Sequence, residues 1–374
     1  MTNQATSPGL WALAWRRLRA DKVAMVSLAV VAAFLAMLAL SSSGLIVADW
    51  EDEVGVNYAP PSFAGAAGGL AAKSPGAPAA ALPDNAFDPL ADDIKALRAE
   101  LGKGARQVTS AALDMYGQVD PLAAEVEQLR AELRAAMPGG AAAKQTARRE
   151  TLPFGADKWG HDVIKKTIKG AETSIVVGLV AALLAVSLGT LFGAVSGYYG
   201  GLVDDFFNWF YSIFTSIPSI LMILTVAAVL QQKGVTTIVL ILGLTGWTGP
   251  FRLIRAEYMK HKAREYVMAA DAIGASSWRK MFAHIFPNVS HVALVQLSIL
   301  VVGFIKAEVI LSFLGFGVPV GVVSWGSMLN EAQNELILGK WWQLTAAAFA
   351  MALLVTAFSL FTDALRDALD PKLK

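Results

Sequence analysis

Six apolar stretches decide what this chain can fold into. They are residues 23–47, 173–197, 206–230, 235–247, 289–316 and 344–361. A helix needs about 20 apolar residues to cross the hydrocarbon of a bilayer. In that solvent the backbone must satisfy its own hydrogen bonds, which leaves helices or a closed barrel. The expected fold is therefore all-α and polytopic, with about six transmembrane helices. The fourth stretch is short and runs into Gly246, Gly249 and Pro250, which leaves its ends open. Composition points the same way: 55% of residues are hydrophobic and 16% charged, against about 25% charged in ordinary soluble domains.

Charge sets the orientation. Arg16, Arg17, Arg19 and Lys22 precede the first stretch, so the N-terminus is expected in the cytoplasm. A cleaved signal peptide is the other reading, favoured by the small residues from Ala39 to Gly44. The apolar run is longer than the roughly 7–15 residues of such a core. Six crossings return the C-terminus to the cytoplasm. Arg252, Arg255, Lys260, Lys262, Arg264, Arg279 and Lys280 after the fourth stretch agree with this, as do Arg366, Lys372 and Lys374 at the end. The expected organisation is a cytoplasmic segment (1–22), a first transmembrane helix (23–47), an extracytoplasmic linker and helical insert (48–168), a core of five transmembrane helices with a cytoplasmic loop (169–366), and a cytoplasmic tail (367–374).

The insert begins with an Ala-, Gly- and Pro-rich linker over residues 59–83. A repeat follows: DPLADDIKALRAEL at 88–101 and DPLAAEVEQLRAEL at 120–133. Asp88-Pro89 and Asp120-Pro121 read as N-caps with Pro at the first helical position. The apolar residues recur at helical spacing. Two amphipathic helices are expected, either as a solvated spacer or as a docking surface for a soluble partner.

No phosphate-binding G-x-x-x-x-G-K-[ST] loop occurs, so no nucleotide site of that kind is present. The four His residues show no paired metal spacing, and there is no Cys. A catalytic, cofactor or metal role therefore has no constellation to rest on, and a net charge of +1 gives no case for nucleic acid. Lys306 and Glu308 lie inside the fifth apolar stretch. A charge there costs roughly 2.5–3.5 kcal/mol, so each must face protein or water. Two positions apart on a helix, they point to different sides. They are candidates for the pathway or for an intramembrane polar network. Pro218 is a candidate hinge in the third crossing.

The loop from Ala263 to Asn288 reads AREYVMAADAIGASSWRKMFAHIFPN. A short helix is expected over residues 265–273, with Ala269, Ala270 and Ala272 as small residues and Gly274 as its stop. A second amphipathic piece over 277–285 leads to Pro287. Spacing alone allows either a compact knob for another protein or a simple basic interhelical loop.

The loop resembles the E-A-A-x3-G-x9-I-x-L-P signature of importer-type ABC transporter permeases, matched at Ala269, Ala270, Gly274 and Pro287. In the peptide/nickel branch the loop commonly opens R-E-Y-V, matched by Arg264, Glu265, Tyr266 and Val267. Further resemblances follow along the chain: Leu152-Pro-Phe-Gly-Ala-Asp157 with Gly160-His-Asp162, Gly197-Tyr-Tyr-Gly-Gly201 with Asp204, and Gly246-Trp247 with Arg252, Arg255 and Glu257. Glu308 with Leu311-Ser-Phe-Leu-Gly315, Ser324-Trp-Gly326, and Arg366-Asp-Ala-Leu-Asp-Pro371 complete the set. The resemblance implies a dipeptide/oligopeptide permease of the C type. It further implies a second, homologous permease, two ATPase subunits that carry ATP and Mg, and an extracytoplasmic substrate-binding protein. Arg264, Glu265, Tyr266, Ala269, Ala270, Asp271, Gly274 and Pro287 would then form the ATPase-coupling loop. Met268 stands where the signature has its acidic residue, with Glu265 and Asp271 each about one turn away. His161 and Leu152 also depart from the pattern, and the insert is unusually long. A metal-chelate or sugar-derived solute is the rival cargo, and a membrane sensor or scaffold the rival class.

Overall fold

The computed structural model of the protein describes residues 10–64, 148–232, 234–319 and 321–369. The repeated helices at 88–101 and 120–133, and Pro371, Lys372 and Lys374, lie outside the described residues. Among the described residues the secondary structure is helical, with isolated β-bridges and no strand. Five helices are long and apolar enough to cross a membrane, and one bent pair makes a sixth crossing if it counts as one span.

Helix α1 (Leu10–Ala20) is amphipathic and ends at Asp21. The Asp21 carboxylate accepts from the N–H groups of Val23 and Ala24 at 2.8 and 3.3 Å and so caps α2 (Lys22–Ser42). Leu18 and Ala14 pack with Ala24, Ala368 and Leu369, so α1 lies against the end of the last helix. The basic N-terminal residues are thus part of an ordered helix rather than a bare charged tail.

Helix α3 (Val163–Tyr199) has 37 residues, about 55 Å at 1.5 Å per residue. It begins earlier than hydropathy alone indicates, because Lys165, Lys166, Lys169 and Glu172 interrupt the apolar pattern without interrupting the helix. The third apolar stretch lies in the bent pair, α4 (Gly201–Thr215) and α5 (Ser219–Leu230), set at 82°. Pro218 is the N-cap residue of α5. Its missing N–H and fixed φ make the break at that point, as its position in the apolar run suggests. Helices α6 (Val235–Thr245) and α7 (Thr248–Lys262) form one span of Val235–Lys262.

The loop helix α8 is Glu265–Ala272. Helix α9 runs Ser277–Phe313, with π geometry over Lys280–Ile285. That stretch directly precedes Pro287, where an i→i−4 ladder would clash with the ring and lack a donor. Instead the Phe286 N–H donates to the Met281 carbonyl. Helix α10 (Trp325–Ile337) is opened by a reciprocal cap, with Ser324 Oγ accepting from Ser327 N–H at 3.1 Å and Ser327 Oγ from Ser324 N–H at 2.9 Å. Helix α11 (Trp342–Leu369) is the last crossing and extends past residue 366, where the sequence places the end of the core.

The main core joins α3, α6, α9, α10 and α11 through Ala181, Leu242, Ile305, Leu311, Met328 and Leu354. The segments flanking the insert are stapled together. Arg149 N–H donates to Val54 O at 2.9 Å, Val56 N–H to Arg149 O at 3.0 Å, and Ser62 N–H to Leu152 O at 2.8 Å. Ala59, Leu152 and Ala156 are buried beneath these bonds. The chain therefore leaves and re-enters the helical body at one closed base.

Candidate functional site

Helix α8 stands on the rest of the protein by one face. Val267 and Ala270 are buried, while Glu265, Tyr266, Met268, Ala269, Asp271 and Ile273 are exposed. Arg264 precedes the helix as its N-cap residue. The stop is a Schellman turn: Ala275 N–H donates to Ala270 O at 3.0 Å and Gly274 N–H to Asp271 O at 2.8 Å. Gly274 has φ +81, a left-handed conformation that glycine adopts without a Cβ penalty. Space around it is open, so the backbone conformation rather than crowding selects glycine.

The base beneath α8 is a cluster of Tyr198 from α3, Ile254 and Tyr258 from α7, and Met281, Ile285 and Val289 from α9, with Val267. Tyr258 OH donates to Met281 O at 3.1 Å. Lys280 is paired with Asp271 and lies 5.9 Å from the centre of the Tyr198 ring. Asp271 is thus held within the chain, and Glu265 makes no ion pair among the described residues. The outward face at the Met268 position is apolar: Met268 is 55% exposed, Ile273 83% and Trp278 57%. Tyr266 OH lies 2.8 Å from His261 Nδ1. Pro287 sits at the start of the α-helical part of α9, beyond the π turn, and is exposed.

Two sequence motifs that are 51 residues apart meet at the same end of α3. Arg255 Nε and Nη2 each donate to Asp204 at 2.6 Å, and Ser196 Oγ also donates to that carboxylate. Beside this fork runs a glycine stripe on α3. A Cβ on Gly189, Gly193 or Gly197 would sit 2.6, 2.8 and 2.6 Å from the carbonyl oxygens of Trp247, Phe251 and Arg255. These helices touch backbone to backbone, the small-residue packing that membrane helices use in place of a hydrophobic drive. The i, i+4, i+8 spacing of the glycines was the available sequence signal for this contact. Helix α8 is thus seated, through Val267, on the side chains of α3, α7 and α9 that pack at this end.

The opposite end of α3 holds a buried ionic network. Lys166 Nζ donates to Asp157 and Glu331, both at 2.7 Å, and to Gln343 Oε1 at 3.3 Å. Asp157 also accepts the Trp159 and His161 N–H groups, both at 2.9 Å. Burial pushes the Asp157 carboxyl up, but the Lys166 ammonium and these hydrogen bonds outweigh it and hold the group below the usual carboxylate range. Glu335, one turn from Glu331, is 2% exposed. Its two oxygens have no hydrogen-bond partner among the described residues, and burial pushes its pKa up to about 7. No motif or spacing in the sequence pointed to this network.

The intramembrane pair separates as the spacing predicts. Glu308 is fully buried and accepts from Ser174 Oγ at 2.6 Å and Ser312 Oγ at 2.7 Å. Ser174 Oγ also accepts the Trp325 N–H at 3.2 Å, so Glu308 ties α3, α9 and α10 together in a polar network. Lys306 faces the other way. It lines a cavity of about 280 Å³ with Ser359, Thr362 and Asp363 of α11.

A bundle of membrane-length helices with an exposed short helix on one connecting loop defines a polytopic membrane protein. Similarity to known proteins fixes the family. Residues 189–374 match the family described as binding-protein-dependent transport system inner membrane component, and residues 9–61 match the N-terminal TM domain of oligopeptide transport permease C. Neither match spans residues 65–147. The chain is 35% identical over 240 residues to the dipeptide transport system permease protein DppC of Bacillus subtilis, covering 63% of this chain and 75% of that one. It is 37% identical over 221 residues to the oligopeptide transport system permease protein OppC of the same organism, covering 59% and 72%. The dipeptide transport system permease protein DppC of Lactococcus lactis is 32% identical over 241 residues, covering 63% and 70%. This chain belongs to the family of binding-protein-dependent ABC transporter permeases, of the oligopeptide permease C type. It is a multi-pass inner-membrane subunit, not an enzyme, and works with separate ATPase and substrate-binding components.

Proposed function

We propose that this permease carries peptides, as the names of its relatives indicate for theirs, and that α8 is the element through which an ATPase subunit moves it. The observation that carries the coupling reading is the construction of the knob: an exposed small-residue helix, stopped by a Schellman turn and seated on the buried Tyr258–Met281 contact. The docking face pairs Ala269 with apolar Met268 and Ile273, while Asp271 keeps its charge engaged with Lys280. The contact at the signature's acidic position is then apolar, and Glu265 supplies charge at its edge.

The N- and C-termini and α8 lie in the cytoplasm, and the insert lies outside, by the distribution of Lys and Arg. A second, homologous permease completes the pathway, and two ATPase subunits bind ATP and Mg²⁺. Closure of the ATPase pair shifts the equilibrium between two arrangements of the helices, through the contact free energy that differs between them. Lys306 faces the pathway side, and the α4–α5 break at Pro218 provides the hinge.

The test is reconstitution of the purified complex in vesicles with labelled di- and oligopeptides and its binding protein. ATP-dependent peptide accumulation is expected. Accumulation of metal chelates or sugar-derived solutes in place of peptides would overturn the cargo, and failure to co-purify an ATPase would overturn the coupling reading.

A further inference from the structure

Three helix ends surround an open-mouthed cavity of about 730 Å³. Its rim carries Lys260, Arg264, His291 and Arg366, from the end of α7, the turn after it, the start of α9 and the end of α11. Its wall is mainly apolar, formed by Leu253, Val292, Val295 and Ile299 with Gln296 among them. The volume lies within the roughly 300–1,000 Å³ of small-ligand sites.

The charge on the rim is not balanced. Its carboxylate, Glu257, is engaged by Lys260 at 3.0 Å and approached by His261 Nε2 at 3.6 Å. Arg264 and Arg366 are exposed and make no ion pair among the described residues. Two guanidinium groups facing one space favour an anion between them, and their planar forks suit phosphate oxygens.

Depth identifies the source of that phosphate. Amphipathic α1, with Arg16, Arg17 and Arg19, has the character of a helix lying in the membrane interface. The Arg17 guanidinium donates to Ala368 O at 3.4 Å, which places the last turn of α11, and with it Arg366, at the level of α1. The cationic rim is then at headgroup depth and the apolar wall at acyl depth. This depth assignment rests on the orientation proposed above and not on the nature of the cargo. In that orientation the cavity opens to the leaflet rich in anionic lipid.

We propose that this cavity is a binding site for an anionic phospholipid of the cytoplasmic leaflet, with its phosphate between Arg264 and Arg366 and an acyl chain along Leu253, Val295 and Ile299. A peptide in transit fits the site less well. Two unneutralised arginines at the exit would retain acidic cargo rather than release it.

The complete transporter complex is purified, delipidated and placed in phosphatidylcholine nanodiscs containing a minor share of phosphatidylglycerol. Native mass spectrometry then reads the lipid retained. Wild type is expected to retain phosphatidylglycerol over phosphatidylcholine. Arg264→Gln with Arg366→Gln is expected to lower that retention about tenfold or more, since the charge-assisted hydrogen bonds to the phosphate are removed. Val295→Trp fills the wall without altering a charge, and is expected to displace the lipid as well, which keeps the test valid if the arginine variant fails to assemble. Equal retention in wild type and both variants, or no preference for phosphatidylglycerol, overturns the proposal. Full displacement by inorganic phosphate, with phosphate bound in its place, overturns the lipid and assigns a free-phosphate site. The peptide-uptake assay fails or succeeds independently of each of these results.

Discussion

Replacing Glu335 with Gln should stabilise the protein, and the gain should grow with pH. Glu335 is 2% exposed, and its carboxylate oxygens are without partners among the described residues. Its pKa is pushed up from 4.5 to about 7, chiefly by burial, with Glu331 and Asp157 adding to the rise and Lys166 opposing it. A carboxyl raised in the folded state contributes stability that is fully present below its unfolded pKa and lost as pH rises through the folded one. Between about pH 5 and pH 8 the folded wild type is expected to lose roughly 2–3 kcal/mol through this group, because each pH step across that window costs up to about 1.36 kcal/mol. Gln keeps the shape and does not titrate. The difference in stability between variant and wild type should therefore be below about 1 kcal/mol near pH 5 and about 3 kcal/mol near pH 8. Thermal unfolding of both proteins in one detergent across that range measures it, and titrations common to both cancel in the difference. A difference that does not change with pH, or a variant less stable than wild type at pH 8, would refute the reasoning.

Three further outcomes follow from the same structure. Gly193→Ala is expected to destabilise the protein by about 1–3 kcal/mol in thermal unfolding, because the added methyl meets backbone; Gly303→Ala, on an α9 face with nothing within 4 Å of the added Cβ, should leave the melting point nearly unchanged. A double-mutant cycle on Asp204→Asn and Arg255→Gln should return a coupling of about 1 kcal/mol, reduced from a buried pair by partial exposure. Deleting residues 65–147 and joining the stapled base with a short Gly-Ser linker should leave the melting point of the helical body within a few degrees, since the base is closed by bonds from residues outside that segment; collapse of expression and folding would show that the insert supports the core.

The crossings were legible because lipid imposes one dominant requirement, a run of apolar residues, and the sequence meets it openly. Pro218 announced the break in the third crossing for a similarly local reason. What stayed hidden was pairing at a distance. Lys166 lies outside the second apolar stretch, yet it is buried within α3 because Asp157 and Glu331 neutralise it. Asp204 and Arg255 were each visible as parts of motifs, while their fork depends on the turn between α3 and α4. Helix α10 was not foreseen, since it is too short and too polar to announce a crossing. Around the loop, composition and Gly274 showed the helix and its stop. The engagement of Asp271 by Lys280 needed three dimensions, and it changes the question about Met268 from which acid replaces the missing one to how an apolar contact does.

The central claim is that α8 is the surface on which the ATPase acts, and the absence of native cysteine permits a direct measurement. Single cysteines placed at Ala269 and at Ile273, in the assembled complex with a cysteine-substituted groove on the ATPase subunit, should cross-link in high yield, and the yield should change when ATP is bound. A cysteine at Val26, on the exposed side of α2, should not cross-link. Cross-linking from Val26 but not from Ala269 or Ile273, or no cross-linking from α8 in a complex that still couples ATP hydrolysis to uptake, would contradict the account.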